Sequence, residues 1–167
     1  MSRTSVYLVS LLIIFQSSLL AYSSNPKDFV NELVTDAISK LSDINLNKDQ
    51  KASFIEKVAL EHVDINALGL YTLGELRKSS TEDDISNYKN AFEKYFLKSL
   101  TSRLNDYSSS KFEITGEDKK SANYTIVNSM VRPEDGGPNI KIDWRVYTKN
   151  PDKPLIRDLI VEGLSLA

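Results

Sequence analysis

Few side chains of this sequence are suited to catalysis, and two aspartates are the main candidates. Asp143 and Asp158 both fall within segments that read as strands. An aspartate buried in an apolar pocket can act as a general base. Asp143 falls on the polar side of its strand, whereas Asp158 alternates with isoleucines and is able to point inward. We favour a structural salt bridge for Asp158, and general-base catalysis is the alternative.

Other catalytic and metal-binding patterns are scarce. His62 is the only histidine, and there are no cysteines. A lone helical histidine is most often partly exposed, which is our expectation for His62. The lack of cysteine excludes disulfides, thiolate catalysis and thiolate zinc sites. The sequence also lacks the glycine-rich phosphate loops and the G-x-S-x-G motif. We therefore predict no catalytic residue, no metal site and no cofactor.

Residues 1–23 read as a secretory signal peptide. Arg3 precedes an apolar run over 6–15, and small residues follow at Ala21 and Ser23. This order is typical of a leader that is cleaved after a small residue, here Ala21 or Ser23. The apolar run is shorter than the roughly 20 residues that a membrane span needs, which disfavours a transmembrane anchor.

Residues 24–167 are expected to form one exported, soluble domain. Apolar residues make up 41% of the chain and charged residues 26%, an ordinary globular mixture. The net charge of −2 offers no clustered positive field, so nucleic acid is excluded as a partner. A bacterial periplasm is the simplest compartment for such a domain.

The first half of the domain has helical periodicity. An apolar stripe over 28–41 repeats at three- and four-residue steps. Asn47 and Gln50 have the spacing of a capping box at the start of a second helix, and Asp64 is placed to start a third. The longest helix is predicted over 81–107, where the apolar face is unusually aromatic and about 40 Å long.

The second half has the period of two that is typical of strands. Strands are predicted at 111–115, 122–131, 140–148 and 155–164, with turns rich in proline and glycine between the later ones. Helices followed by strands indicate an α+β fold. We predict N-terminal helices packed on one face of a curved antiparallel β-meander, with an apolar cavity between them.

The aromatic helix face and the apolar sheet face are suited to bounding a cavity for a lipid chain. A carrier of this kind needs a deep, dry pocket with few charges inside it. The predicted lining from the helices is Phe54, Val58, Leu73, Phe92, Phe96 and Leu100. The predicted lining from the strands is Ile126, Met130, Ile142, Trp144 and Leu159.

Three stretches resemble one protein family. They are VDINALGLYTLGELRKSSTEDD, YKNAFEKYFLKSLTSRLNDYS and IDWRVYTKNPDKPLIRDLIVEGLSLA. Their order and content are similar to the MlaC family of periplasmic phospholipid-shuttle proteins, also called toluene-tolerance or ABC-transporter auxiliary components. The resemblance implies an α+β fold that encloses acyl chains and leaves the headgroup near solvent. It also implies non-enzymatic phospholipid transport between an outer-membrane lipoprotein–porin complex and an inner-membrane ABC transporter bearing an MCE-domain ring, which maintains outer-membrane lipid asymmetry.

The sequence departs from the family pattern in two places. Glu75-Leu76-Arg77 stands where members usually have aromatic residues. Members usually continue past the Val-Glu-Gly strand into a C-terminal helix, which we expect this domain to lack. Two other functions stay open: a small curved-sheet enzyme of ketosteroid-isomerase-like type with Asp158 as base, and an adaptor that fills its own core and binds only protein.

Overall fold

The described chain is built from helices first and strands second. The computed structural model describes residues 22–104, 110–134 and 136–165, so nearly all of the predicted leader lies outside the described residues. The helices are α1 (Pro26–Ser42), α2 (Lys48–His62), α3 (Ile65–Thr72) and α4 (Glu82–Leu104), with a 3₁₀ turn at Gly74–Lys78. The strands are β1 (Ser110–Ser121), β2 (Tyr124–Pro133), β3 (Ile140–Tyr147), β4 (Leu155–Val161) and β5 (Leu164–Ser165). They form one antiparallel sheet in chain order, which confirms the predicted α+β fold.

The helices begin where short-range signals place them. Asn25 accepts two backbone N–H bonds ahead of Pro26, which has no N–H to satisfy at this position. Asn47 and Gln50 form both bonds of the predicted capping box at 2.9 Å. Asp64 accepts the backbone N–H of Ala67 at 3.1 Å and so caps α3. Each such cap contributes about 1 kcal/mol to stability.

One face of the sheet, here called the core face, carries the main hydrophobic core. Along β2 the buried positions alternate and include Val127 and Ser129. Helices α1 and α2 cover this face, with Phe29 fully buried and Val58 nearly so. The buried core cluster consists of Phe29, Val30, Leu33, Val58, Val127, Val146 and Ile156. Full burial of such a side chain contributes roughly 1.5–3 kcal/mol.

The predicted grouping of strand residues is wrong for β2. The sequence placed Ile126 and Met130 in one surface with Ile142 and Trp144. In the sheet, Ile126 lies opposite Arg145, on the other face, here called the reverse face, whereas Trp144 lies opposite the buried Val127. Met130 shares the reverse face with Ile126 because residues two apart along a strand point the same way.

Hydrogen bonding explains why the less apolar side of β2 is buried. Ser129 is fully buried, donates to the carbonyl of Ile142 at 2.9 Å and accepts from the indole N–H of Trp144 at 2.8 Å. A buried hydroxyl with both partners in place avoids most of the cost of leaving water. A prediction from apolar character alone therefore buries the wrong side of β2.

The chain passes from one side of the sheet to the other between α2 and α3. Val63 forms a parallel bridge with Ile156 of β4, and the N–H of Asp64 donates to the carbonyl of Ile156 at 2.8 Å. Helix α3 then lies over the reverse face, where its residues Ala67 and Tyr71 share a pocket with strand residues. The prediction that the helices pack on one face of the sheet is therefore wrong for α3. Helix α4 packs mainly against α3 and α2.

His62 is buried, and the expectation of an exposed side chain is wrong. Only 8% of its surface is exposed, and its ring lies 4.7 Å from that of Tyr22 and 5.7 Å from that of Phe29. Among the described residues neither ring nitrogen has a hydrogen-bond partner. Burial lowers the pKa of His62, so the ring is neutral at pH 7. Tyr22, which precedes α1, covers the His62 ring. The helical periodicity of α2 cannot predict this contact, because Tyr22 lies outside that helix.

Candidate functional site

A pocket of about 590 Å³ lies on the reverse face, between α3 and strands β1 to β4. Helix α3 contributes Ala67 and Tyr71, and the end of β1 contributes Lys120 and Ser121. The remaining lining residues are Tyr124, Ile126, Arg145 and Arg157. The volume is within the roughly 300–1,000 Å³ that is typical of small-molecule sites.

Arg157 joins the α2–α3 corner to the sheet beside this pocket. Its Nε–H donates to Asp64 at 2.8 Å, and Nη1 donates to the hydroxyl of Tyr124 at 2.7 Å. The guanidinium also stacks 3.6 Å from the ring centroid of Tyr147. Burial lowers the pKa of Arg157, but the bonds to Tyr124 and Asp64 outweigh it and raise the pKa above its ordinary value. This cation is therefore permanently charged and firmly held.

Asp158 forms the salt bridge that the sequence favoured. A β-bulge in β4 sets Asp158 opposite Arg145, and the two side chains approach to 3.6 Å. The Asp158 carboxylate is 1% exposed and accepts a bond from the hydroxyl of Ser165 at 2.7 Å. It lies behind Arg145 and is not part of the pocket lining. The geometry assigns this carboxylate to charge pairing beneath the pocket.

The chemistry of the lining is amphiphilic. Ala67 and Ile126 supply apolar surface, while Lys120, Arg145 and Arg157 supply cations. The prediction of a dry lining with few charges is therefore wrong for this pocket, because three charged side chains line it. A molecule with both an apolar part and an anionic group suits such a lining, because each part finds a matching surface.

Comparison with known proteins settles the family. Residues 27–167 match the family model described as MlaC protein. The chain belongs to the MlaC family. In fold, this MlaC-family chain is similar to a phospholipid-binding protein from Ralstonia solanacearum that was solved in complex with a phospholipid. The two are 16% identical with a TM-score of 0.65, and the match covers 82% of this chain and 78% of the other. No curated protein sequence matches the chain at a significant level.

Membrane-spanning helices are not found in the described part of this MlaC-family chain, since none of its helices is long and apolar enough. In the same residues, no group of three or more histidine, aspartate or glutamate side chains is arranged to hold a metal ion.

The predicted lipid-facing residues of this MlaC-family chain fall into separate places. Ile126 lies in the reverse-face pocket. Five lie on the core face or pack against its core: Phe54, Val58, Ile142, Trp144 and Leu159. The structure therefore does not bring the predicted set together in one surface.

The remaining predicted residues are half-buried on or near α4, apart from Met130 on the reverse face. Phe92 stacks between Tyr88 and Phe96 with centroids 6.0 and 6.1 Å away. Leu73 follows α3, and Leu100 lies in the last turns of α4. The spacing predicts an aromatic face on α4, and three of its rings, Tyr88, Phe92 and Phe96, form a stack. The helix itself packs on α3 and α2.

Sequence reasoning missed the charged half of the pocket. The alternation along 140–148 places Arg145 and Tyr147 on the side of the strand opposite Trp144, which a sequence pattern alone interprets as facing solvent. The available signal was the recurrence of arginine and tyrosine on the same side of neighbouring strands, with Tyr124 on β2 and Arg157 on β4. Recognising it requires the strand register, which includes the bulge.

Proposed function

We propose that this MlaC-family chain is a soluble periplasmic carrier that binds phospholipid in the reverse-face pocket. The observation that carries the proposal is the joint apolar and cationic lining of a pocket of about 590 Å³. Family membership and the phospholipid complex of the Ralstonia solanacearum protein support it.

The need for a carrier follows from the hydration of acyl chains. Each exposed CH₂ costs about 0.8 kcal/mol in water, so a chain of about 16 carbons costs roughly 12 kcal/mol. The apolar surface at Ala67 and Ile126 would cover part of such a chain. The cations at the same site, each of which also pairs with a carboxylate, would attract the phosphate and donate hydrogen bonds to it.

The proposed route is the one implied by the family. The chain is exported by its leader and carries phospholipid between an outer-membrane lipoprotein–porin complex and an inner-membrane ABC transporter with an MCE-domain ring. This exchange maintains the lipid asymmetry of the outer membrane. No catalytic step is involved, so lipid leaves the protein chemically unchanged.

The test is to recover the exported protein with whatever it holds. The full chain with its leader is expressed in a Gram-negative bacterium and purified from the periplasm. Native mass spectrometry and lipid extraction should show one intact phospholipid per chain. Recovery without lipid, together with no uptake from vesicles of phosphatidylethanolamine and phosphatidylglycerol, would contradict the proposal.

The same experiment separates a carrier from an enzyme that uses Asp158. Phospholipid incubated with the protein should be recovered intact, and Asp158→Asn should not change the products. Appearance of a lipid product that depends on Asp158 would favour the enzyme.

A further inference from the structure

Arg145 occupies a central position in the reverse-face pocket. It lies opposite Ile126 on β2 and opposite Asp158 on β4. Its side chain is 38% exposed and lines the pocket. The distance from Nη1 to Asp158 is 3.6 Å, which is a charge contact longer than a hydrogen bond. Within the described residues, no hydrogen bond from the Arg145 guanidinium is found.

The other two cations of the pocket are already engaged. Arg157 donates to Asp64 and Tyr124. Lys120 is hydrogen-bonded and ion-paired to Asp118. Arg145 thus differs from the other two cations of the lining in having, among the described residues, only a charge contact and no hydrogen bond to the protein. A guanidinium presents its N–H groups in a planar fork that matches two oxygens of a phosphate.

Asp158 positions Arg145 by charge attraction and accepts no hydrogen bond from the N–H groups of Arg145. The Asp158 carboxylate is buried and accepts a hydrogen bond from Ser165, so its charge attracts Arg145 from below the pocket. Because the contact is at 3.6 Å, a ligand phosphate competes with an ion pair and not with a short hydrogen bond. The guanidinium is therefore placed at the pocket and free to bind.

We infer that Arg145 is the phosphate-binding residue of this site, with the apolar part of the ligand lying on the adjacent Ile126. The inference deepens the proposed function and rests on it. The shared chemistry is a phosphoester anion, and we assign it to a phospholipid because Ile126 and Ala67 place apolar surface directly beside the cation.

The experiment compares a phospholipid with two ligands, each of which lacks one part of it. Native mass spectrometry is used to titrate the exported chain with dioctanoyl phosphatidylglycerol, with dioctanoylglycerol, which lacks the phosphate, and with glycerol 3-phosphate, which lacks the acyl chains. Arg145→Gln should weaken phosphatidylglycerol binding about tenfold, the value of one charge-assisted hydrogen bond. Binding of dioctanoylglycerol should stay within about twofold.

Arg132→Gln is the matched control. Arg132 is also an arginine on the reverse face of β2, is 51% exposed, and pairs with Glu113 at 2.7 Å outside the pocket lining. Its substitution should leave the binding of both lipids unchanged. Because Arg145→Gln leaves Asp158 buried without its cation, the double variant R145Q/D158N provides a charge-neutral version. It should show the same selective loss of phosphatidylglycerol binding.

Each outcome has a defined meaning. If the wild-type chain binds neither lipid, the proposed function fails and the inference fails with it. If the wild-type chain binds phosphatidylglycerol and both Arg145 variants bind it equally well, only the inference is overturned. An equal loss for dioctanoylglycerol would make Arg145 a structural residue and would also overturn it. Equal affinity for glycerol 3-phosphate would assign the site to a soluble phosphoester and overturn the lipid assignment.

Discussion

Gly69 of α3 lies so close to the ring of Phe92 on α4 that a side chain at this position would require the ring to shift. A Cβ placed on Gly69 would lie 3.0 Å from Cδ1 and 3.2 Å from Cγ of Phe92. Phe92 is the middle ring of the α4 aromatic stack. The close approach therefore fixes α4 against the helix whose residues Ala67 and Tyr71 line the reverse-face pocket.

Gly69→Ala should destabilise the protein by about 1 kcal/mol. The added methyl group requires the Phe92 ring to shift. Overpacking of this kind costs about 1–3 kcal/mol, and the centre of that range is about 1 kcal/mol larger than the helix-propensity gain of about 1 kcal/mol. The measurement is urea unfolding. The control is Gly116→Ala, where the new Cβ would meet Asn128 at an ordinary 3.5 Å. A Gly69→Ala protein as stable as wild type would show that this contact does not fix α4.

Two substitutions of Asp64 should separate its two roles. Asp64 caps α3 through Ala67 and pairs with Arg157. Asp64→Asn keeps a good capping side chain but loses the charge, whereas Asp64→Ala loses both. We expect losses in the free energy of unfolding of about 1 kcal/mol for Asn and about 2 kcal/mol for Ala. Equal losses in urea unfolding would show that the cap contributes nothing.

His62 should make the protein less stable in mild acid. Burial lowers the pKa of His62 in the folded protein below 6.5, its ordinary value. Glu61 raises this pKa and Lys153 lowers it, both less than burial does. The unfolded chain therefore binds a proton first as pH falls. The stability contributed by neutral His62 is complete above pH 6.5 and is lost as pH falls from 6.5 towards the folded pKa.

The measurement for His62 is the free energy of unfolding at pH 7.5 and at pH 5. Wild type should lose more stability over this interval than His62→Leu, which cannot take up the proton. Every other titratable group is present in both proteins, so the difference between the two losses reports on His62 and its charge interactions. An identical loss in the two proteins would contradict the assignment.

Tyr22 bears on which of the two predicted cleavage sites of the proposed leader would be used. Its hydroxyl donates to Asp36 at 3.1 Å, and its ring contacts Phe29 and His62 edge-on. Burial raises the pKa of the Tyr22 hydroxyl, and the charge of Asp36 raises it further, so the hydroxyl stays protonated and able to donate. Cleavage after Ala21 would keep this residue, whereas cleavage after Ser23 would remove it.

A chain beginning at Tyr22 should be more stable than one beginning at Ser24 by about 2 kcal/mol, because the shorter chain loses the packing of the Tyr22 ring and the hydrogen bonds of Tyr22 and Ser23. Tyr22→Phe keeps the ring and should lose about 1 kcal/mol. Urea unfolding of the three chains gives the comparison. Equal stability of the two lengths would mean that Tyr22 contributes nothing to the core.

Local signals in the sequence were sufficient for the order of elements. The Asn47–Gln50 capping box is set by neighbours within a few residues, and it was predicted correctly. Strand β1 was predicted to end at Thr115 but continues to Ser121. Its second half is exposed and polar, so the backbone ladder to β2 holds it without an apolar alternation.

The site depends on long-range geometry that local patterns do not contain. Which side of β2 is buried follows from the bonds of Ser129 to β3. The meeting of Arg145, Arg157 and Tyr124 follows from the strand register and the bulge in β4. The passage of the chain around the sheet edge at Val63 decides that α3 covers the reverse face. The predicted set therefore contained one lining residue of this pocket, Ile126.

Photo-crosslinking gives the most direct test of where the lipid binds. The chain purified from the periplasm is loaded with a phospholipid that carries a diazirine in its acyl chain, irradiated and mapped by tandem mass spectrometry. We predict adducts on Ile126 of β2 and on Ala67 or Tyr71 of α3. Adducts confined to core residues such as Phe29 and Val127, or none at all although lipid is bound, would contradict the claim that the reverse-face pocket holds the acyl chain.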